Sequence, residues 1–174
     1  MKILIAGGAG FVGTRLCNEM ANEGYDITAI DLFWFGNHLD EKVKIINKDL
    51  MELTVEEVSK YDTVVFMAGL SNDPMANFNP KRNFIENAAA PSYLAHICKE
   101  AMINRFVYAS SCSVYGFTDN EIMTEECDVN PQYPYGISKL QSEYSIMKMQ
   151  DDHFRPISLR MGTIGGWSPR MRFD

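Results

Sequence analysis

Short runs of apolar, mostly β-branched residues alternate along this chain with longer stretches in which apolar residues recur every three or four positions. Residues 2–6 (Lys-Ile-Leu-Ile-Ala) are the first short run, and glycines close it at once. A continuous apolar run of that length, bounded by turn residues, predicts a strand buried on both faces. Further strands are predicted at 26–30, 43–46, 63–67 (led by Asp62), 105–110 and 156–160. Helical spacing predicts a helix over 11–23 with Val12, Leu16 and Met20 on one face, a long helix over 82–102 bent at Pro91, and a helix over 134–150. Pro134 falls in the first turn of that last helix, where a missing N–H costs little. Strand–helix alternation implies an α/β domain with a parallel sheet covered on both faces. Right-handed crossovers then make a doubly wound parallel sheet the natural topology. After the sixth strand, Ser168-Pro169-Arg170-Met171-Arg172-Phe173-Asp174 shows no helical pattern, and the chain reads as a fragment of a longer protein.

Composition narrows the class. A chain of 174 residues, 46% hydrophobic and 22% charged, is one ordinary globular domain with enough apolar residues for a real core. There is no internal repeat, low-complexity tract or linker. The net charge of −7 argues against an electrostatic grip on nucleic acid or on an anionic membrane. No apolar run approaches membrane-spanning length, and residues 1–6 do not make a signal peptide. Cys17, Cys98, Cys112 and Cys127 form no CxxC pair, and His38, His96 and His153 do not cluster with them. No metal site and no disulfide framework are expected, and reduced thiols suit a cytoplasmic protein. Cys112 is expected to be a small buried residue and the methionines, Met147 and Met149 included, core filler.

Two motifs carry chemistry. Gly7, Gly10 and Gly13 follow the first predicted strand and open the first predicted helix, with Phe11 and Val12 between them. Glycines in this context let the backbone turn sharply, approach a pyrophosphate without an intervening Cβ, and aim helix N–H groups at it. Asp31 ends the second strand, placed to accept hydrogen bonds from the adenosine ribose and to repel a 2′-phosphate; NAD is favoured over NADP. Asp49 and Leu50 follow the third strand and could line an adenine pocket; a turn aspartate explains Asp49 nearly as well. Phe33-Trp34-Phe35 could pack on adenine, meet a partner chain or cover the sheet edge, with nothing to choose between them.

Downstream, Tyr135 and Lys139 stand four residues apart on one predicted helix face. An ammonium beside a phenol stabilises the phenolate and lowers its pKa from about 10. Such a tyrosine can take a hydroxyl proton while hydride leaves the same carbon, or return it to a carbonyl oxygen. Lys139 could also hold a nicotinamide ribose. The run Ser110-Ser111-Cys112-Ser113 at the end of the fifth strand offers a hydroxyl for the reacting oxygen.

Taken together, these residues resemble the extended short-chain dehydrogenase/reductases, the NAD-dependent nucleotide-sugar epimerase/dehydratase family. The resemblance covers essentially the whole chain and implies a Rossmann-type fold over 1–165, with 166–174 the start of a truncated C-terminal substrate domain. It matches Gly7-Gly8-Ala9-Gly10-Phe11-Val12-Gly13 to the family's first turn, Asp31 to its NAD-selecting acid and Asp49 to its adenine-side acid. It places Met67, Ala68 and Gly69 in the nicotinamide-side loop and Asn87 at the usual helix-four asparagine. Ser110 to Gly116 matches the strand-five signature, with Ser111 as the catalytic hydroxyl and Tyr135 and Lys139 as the catalytic pair. Arg160-Met161-Gly162 falls where the sixth strand reaches the site. Cofactor contacts are thus expected from Gly7, Gly10, Phe11, Val12, Gly13, Asp31, Asp49, Leu50, Met67, Ala68, Gly69, Asn87, Ser110 and Lys139.

The departures are informative. Met67 replaces the usual histidine, and Cys112-Ser113 replace the Asp-Glu pair of 4,6-dehydratases, which disfavours elimination of water. The resemblance implies a nucleoside-diphosphate sugar as substrate, NAD as cofactor and a homodimer built on the helices over 82–102 and 134–150. Tyr135/Lys139-assisted epimerisation is the leading expectation. A net nucleotide-sugar dehydrogenase or reductase uses the same residues, and a non-catalytic NAD sensor would not need them. Ser71, Asn72 and Asp73 could touch the sugar, although turn polarity explains them equally.

Overall fold

The computed structural model describes residues 1–117 and 122–171, so the last three residues of the C-terminal stretch lie outside the described residues. Six parallel strands form one sheet: β1 (Lys2–Ala6), β2 (Asp26–Asp31), β3 (Lys44–Asn47), β4 (Thr63–Phe66), β5 (Arg105–Ser111) and β6 (Arg155–Met161). Each lies within one or two residues of its predicted position. The order is β3-β2-β1-β4-β5-β6, every pairing parallel. The chain winds outward from β1 to β3, then returns to β4 and winds the other way. The turns that leave β1 and β4 therefore diverge and open a crevice at the carboxyl ends of the strands.

The helices cover both faces. They are α1 (Phe11–Asn22), α2 (Val55–Val58), α3 (Asp73–Phe78), α4 (Pro80–Phe84), α5 (Ala90–Glu100) and α6 (Pro134–Lys148). Alternate residues of β1 serve opposite cores. Leu4 and Ala6 join Val64, Phe66, Leu94, Phe106, Tyr108, Ile146 and Phe154. Ile3 and Ile5 join Cys17, Ala21, Ile27, Ala29 and Val43. This two-sided burial is why β1 reads as one unbroken apolar run.

Three expectations change. The buried face of α1 is Gly13, Thr14, Cys17 and Ala21, while Val12, Leu16 and Met20 are only partly covered. Small residues let this helix ride close to the sheet: a Cβ on Gly8 would stand 2.5 Å from the Ala29 Cβ and 3.2 Å from Cys17 Sγ. Secondly, the irregularity in the long helix lies at a wide π-type turn, Ile85–Ala89, with Pro91 in the first turn of α5. Pro91 has no N–H for the carbonyl four residues back, and its ring crowds that carbonyl. The carbonyl belongs to Asn87, and the Ser142 hydroxyl of α6 donates to it at 2.7 Å instead. Thirdly, among the described residues no methionine is buried: Met20, Met67 and Met149 pack against the edges of the cores, and Met147 is exposed. Rigid Ile, Leu, Val and aromatic side chains fill the interior. Cys112 is likewise exposed, because it opens the turn Cys112–Tyr115 beyond the end of β5.

Beyond β6 no helix forms among the described residues. Ser168 is buried, and its hydroxyl donates to the Phe11 carbonyl at 2.7 Å, pinning this segment to the start of α1.

Phe106 is fully buried between α5 and the sheet, whereas Ile157 on β6 is 49% exposed. Truncating Phe106 to alanine should cost about 3–5 kcal/mol in urea melts and Ile157→Ala less than about 1 kcal/mol. Equal losses would contradict this placement of the core.

Candidate functional site

The carboxyl end of β1 turns through Gly7, whose φ of +80° suits glycine. A Cβ there would lie 2.5 Å from the Ala68 nitrogen, and one on Gly13 would lie 2.2 Å from the Gly7 carbonyl. The backbones of the first turn, of α1 and of the loop after β4 therefore meet without side chains between them. Gly10 caps α1, so Phe11, Val12 and Gly13 carry the first N–H groups, which have no partner within the helix. Such a helix start attracts an anion. Asp31 ends β2 beside this turn. Its carboxylate accepts from Ala9 N and Phe33 N, both at 3.0 Å, which aims it while leaving lone pairs for further donors.

The loop after β4 carries Met67, Ala68 and Gly69 on the other side of β1. Met67 N donates to the Ala6 carbonyl at 2.8 Å. Gly69 has a φ of +128°, and a Cβ there would stand 2.0 Å from Asn87 Oδ1. Asn87 is fully buried in the π-type turn; its amide donates to the Leu70 carbonyl and to Asn83 Oδ1, while its own Oδ1 has no donor. Asp49 caps the short turn Leu50–Glu52 by accepting from Met51 N at 2.9 Å, so the turn reading of Asp49 is realised; Leu50 packs partly against the core.

The third part lies between β5 and α6. Lys139 is buried, with its ammonium donating to the Ala109 carbonyl at 2.8 Å. That ammonium lies 5.0 Å from the centre of the Tyr108 ring and 5.8 Å from that of Tyr135. Burial pushes the Lys139 pKa down to about 8. Burial likewise pushes the Tyr108 phenol well above its ordinary value. Ser111 ends β5; its hydroxyl donates to Ser113 Oγ at 3.1 Å and accepts from Ser113 N. Ser110, one residue earlier, donates to Glu143 Oε2 at 2.8 Å.

Gly7, Asp31, Met67 and Ser111 thus sit at the carboxyl ends of four neighbouring strands, and Tyr135 and Lys139 lie on the helix packed against the last of them. Trp34 and Phe35 are exposed and carry guanidinium groups on their faces, Arg82 at 4.4 Å and Arg170 at 4.0 Å. Sequence reasoning missed a buried polar network behind the site. Tyr108 OH meets Ser142 Oγ at 2.7 Å, and Asn83 joins Asn87, Ser138 and the Pro134 carbonyl. The available signal was polar pairs at i, i+4 on otherwise apolar helix faces: Asn83 with Asn87, and Ser138 with Ser142.

A family model described as the NAD dependent epimerase/dehydratase family matches residues 3–173. The chain belongs to that family. A UDP-glucose 4-epimerase of Lactobacillus helveticus is 29% identical over 97% of this chain and 53% of its own length. An uncharacterised UDP-glucose epimerase of Bacillus subtilis strain 168, YtcB, is 30% identical over 100% of this chain and 59% of its own. Among solved structures, MoeE5 in complex with UDP-glucuronic acid and NAD is 30% identical with a TM-score of 0.83, over 92% of this chain and 54% of that one. The UDP-N-acetylglucosamine 4-epimerase of Methanobrevibacter ruminantium M1 reaches a TM-score of 0.84 at 26% identity, over 91% and 54%. The chain spans about half the length of the curated relatives it matches.

The residues present fit the family's dinucleotide. The glycine cradle would be filled by any Cβ, Asp31 is held ready by two backbone donors, and Asn87 Oδ1 is a buried acceptor awaiting a donor. Among the described residues no group of three or more His, Cys, Asp or Glu could hold a metal, and no helix is long and apolar enough to cross a membrane.

The Lys139 ammonium has a pKa of about 8 when folded against 10.5 as its ordinary value. Between those values the unfolded chain binds the extra proton. Lys139 therefore destabilises the fold fully below about pH 8, and stability climbs as pH rises from there toward 10.5. Lys139→Met removes this dependence. In urea melts the wild type should gain on K139M by up to ~2–3 kcal/mol between about pH 7.5 and 10. A gap that stays constant with pH would show that the ammonium is not desolvated.

Proposed function

We propose that this chain is the cofactor-binding half of an NAD-dependent nucleotide-sugar epimerase. The observation that carries the reading is the Tyr135–Lys139 pair on α6, with Lys139 anchored to β5 two residues before Ser111, in a chain whose relatives are named as UDP-glucose 4-epimerases. Gly7, Gly10, Phe11, Val12 and Gly13 would hold the pyrophosphate. Asp31 would hold the adenosine ribose, with Asp49 and Leu50 on the adenine side. Met67, Ala68, Gly69, Asn87, Ser110 and Lys139 would line the nicotinamide end. Bound NAD supplies the acceptor that takes a hydride from the sugar carbon and gives it back.

The chain's own residues handle the proton. Tyr135 takes it from the sugar hydroxyl and later returns it. Lys139, poised near neutrality by burial, stabilises the phenolate that this requires. The Ser111 hydroxyl holds the reacting oxygen. UDP-sugars are the substrate class, since MoeE5 and the M. ruminantium epimerase were solved with UDP-linked sugars. Relatives are about twice as long, so residues 1–165 supply the cofactor domain and 166–174 lead into the part that grips the sugar. A second copy pairs through α4 to α6, where Ile85, Tyr144 and Met147 stand exposed.

Calorimetry should show NAD binding, weakened about tenfold or more by Gly13→Ala, whose Cβ invades the cradle. Incubation with catalytic NAD and a panel of UDP-hexoses, followed by proton NMR, should show a slow new epimer without net NADH, lost in Tyr135→Phe. Stoichiometric NADH would mark a net dehydrogenase instead, and absence of NAD binding would sink the reading.

A further inference from the structure

Glu143 lies one helical turn beyond Lys139, on the same face of α6. It is 8% exposed. Arg160 of β6 reaches it with two nitrogens, Nε at 3.0 Å from Oε1 and Nη2 at 2.5 Å. Ser110 of β5 donates to its other oxygen at 2.8 Å. Arg160 stands beside Ser110 in the β5–β6 register, and its remaining nitrogen donates to Tyr115 OH at 3.1 Å and to the Glu125 carbonyl at 3.4 Å. Burial alone would raise the Glu143 carboxyl, but the hydrogen bonds from Arg160 and Ser110 hold it below its ordinary range.

These contacts bracket Ser111. Residues 109 and 110 of β5 are stitched to residues 139 and 143 of α6, by Lys139 to the Ala109 carbonyl and by Ser110 to Glu143. On the far side of Ser111, Tyr115 closes the turn and is tied to Arg160. We propose that the Glu143–Arg160 pair is a positioning element: Glu143 clamps the end of β5 to the catalytic helix, and Arg160 cancels the charge that this clamp would otherwise set one turn from Lys139. The proposal rests on the role given above to Tyr135 and Lys139. The pair touches neither substrate nor cofactor in this scheme.

Buried charge near a buried ammonium matters because screening is weak there. Among the described residues, titratable groups stand around the Tyr135–Lys139 couple on several elements. From α6 come Tyr135, Lys139 and Glu143; from β5, Tyr108; from the turn after β5, Tyr115; from β6, Arg160. Asn83 and Asn87 on the neighbouring helical stretch are uncharged, and Asp73 opens α3, which packs on α6. Removing Arg160 leaves Glu143 unneutralised. A bare carboxylate there repels the Tyr135 phenolate directly and so opposes ionisation of Tyr135.

The test reads Tyr135 directly, by ultraviolet phenolate absorbance during alkaline titration of the chain, with the same variant carrying Tyr135→Phe as the subtracted blank. It is run without and with NAD, with circular dichroism confirming the fold. Arg160→Met should move the Tyr135 midpoint upward by about half to one pH unit. Glu143→Gln with Arg160→Met removes both charges and should return the midpoint to within about 0.3 unit of wild type. Arg160→Lys keeps the charge without the two-nitrogen fork and should titrate as wild type, which keeps the test alive if Arg160→Met does not fold. An unmoved midpoint in Arg160→Met, or no recovery in the double variant, overturns the proposal. A wild-type Tyr135 that titrates at the ordinary value of about 10 overturns the parent reading instead.

Discussion

Lys139 carries its ammonium to a place that water does not reach and donates a hydrogen bond to the Ala109 carbonyl 2.8 Å away. Desolvating an ammonium is expensive, and a fold that does so must surround it with fixed dipoles and satisfied polar groups. The interior between β5, α6 and the π-type turn meets that demand. Ser142 Oγ lies within hydrogen-bond distance of Tyr108 OH and the Asn87 carbonyl, and Asn83 ties α4 to the start of α6 through the Pro134 carbonyl. The irregular turn at Ile85–Ala89 belongs to the same solution: Pro91 frees a carbonyl, and Ser142 takes it. A regular helix there would have used that carbonyl itself and left the Ser142 hydroxyl one partner fewer.

The cofactor side of the crevice is built on the opposite principle. Where Lys139 needs surrounding atoms, the first turn needs their absence. Gly7, Gly13 and Gly69 all stand where a Cβ would overlap backbone or the Asn87 amide. Their spacing packs three chain segments into contact at the reversal of strand order. The crevice thus pairs an unencumbered backbone surface, suited to an anion, with a buried lysine beside a partly buried tyrosine. Both follow from the divergence of the turns after β1 and β4, which no single element produces alone.

The strands were legible because burial on both faces leaves a continuous apolar run, and Gly7, Asp31, Ser111, Tyr135 and Lys139 were legible because each stands at a strand end or a helix spacing with a physical meaning. The face of α1 was not, since Gly13, Cys17 and Ala21 score as weakly apolar although their smallness is what brings the helix to the sheet. Helices as short as α2 and α3 show no period; their traces were the Thr54–Glu57 capping box and the Asn72 cap. Glu143 was invisible for a different reason. A glutamate four residues after a lysine reads as an exposed helix pair, and only the arrival of Arg160 and Ser110 from two strands makes it an interior group.

Cofactor choice depends on which charges near the adenosine end are free to act. The stretch from Asp31 to Asn37 holds no Lys or Arg, but the fold brings Arg82 from α4 and Arg170 from beyond β6 to its aromatic residues. Guanidinium groups at such a loop would ordinarily favour a 2′-phosphate. Here Arg82 lies over Trp34 and pairs with Glu86, while Arg170 lies over Phe35 and donates to the Met171 carbonyl. Asp31, by contrast, is aimed by Ala9 N and Phe33 N beside the glycine turn. A phosphate dianion beside Asp31 would meet its carboxylate, and moving an arginine toward it would break that arginine's stacking and its hydrogen bond or ion pair. The balance therefore agrees with NAD, the cofactor of the family to which the chain belongs.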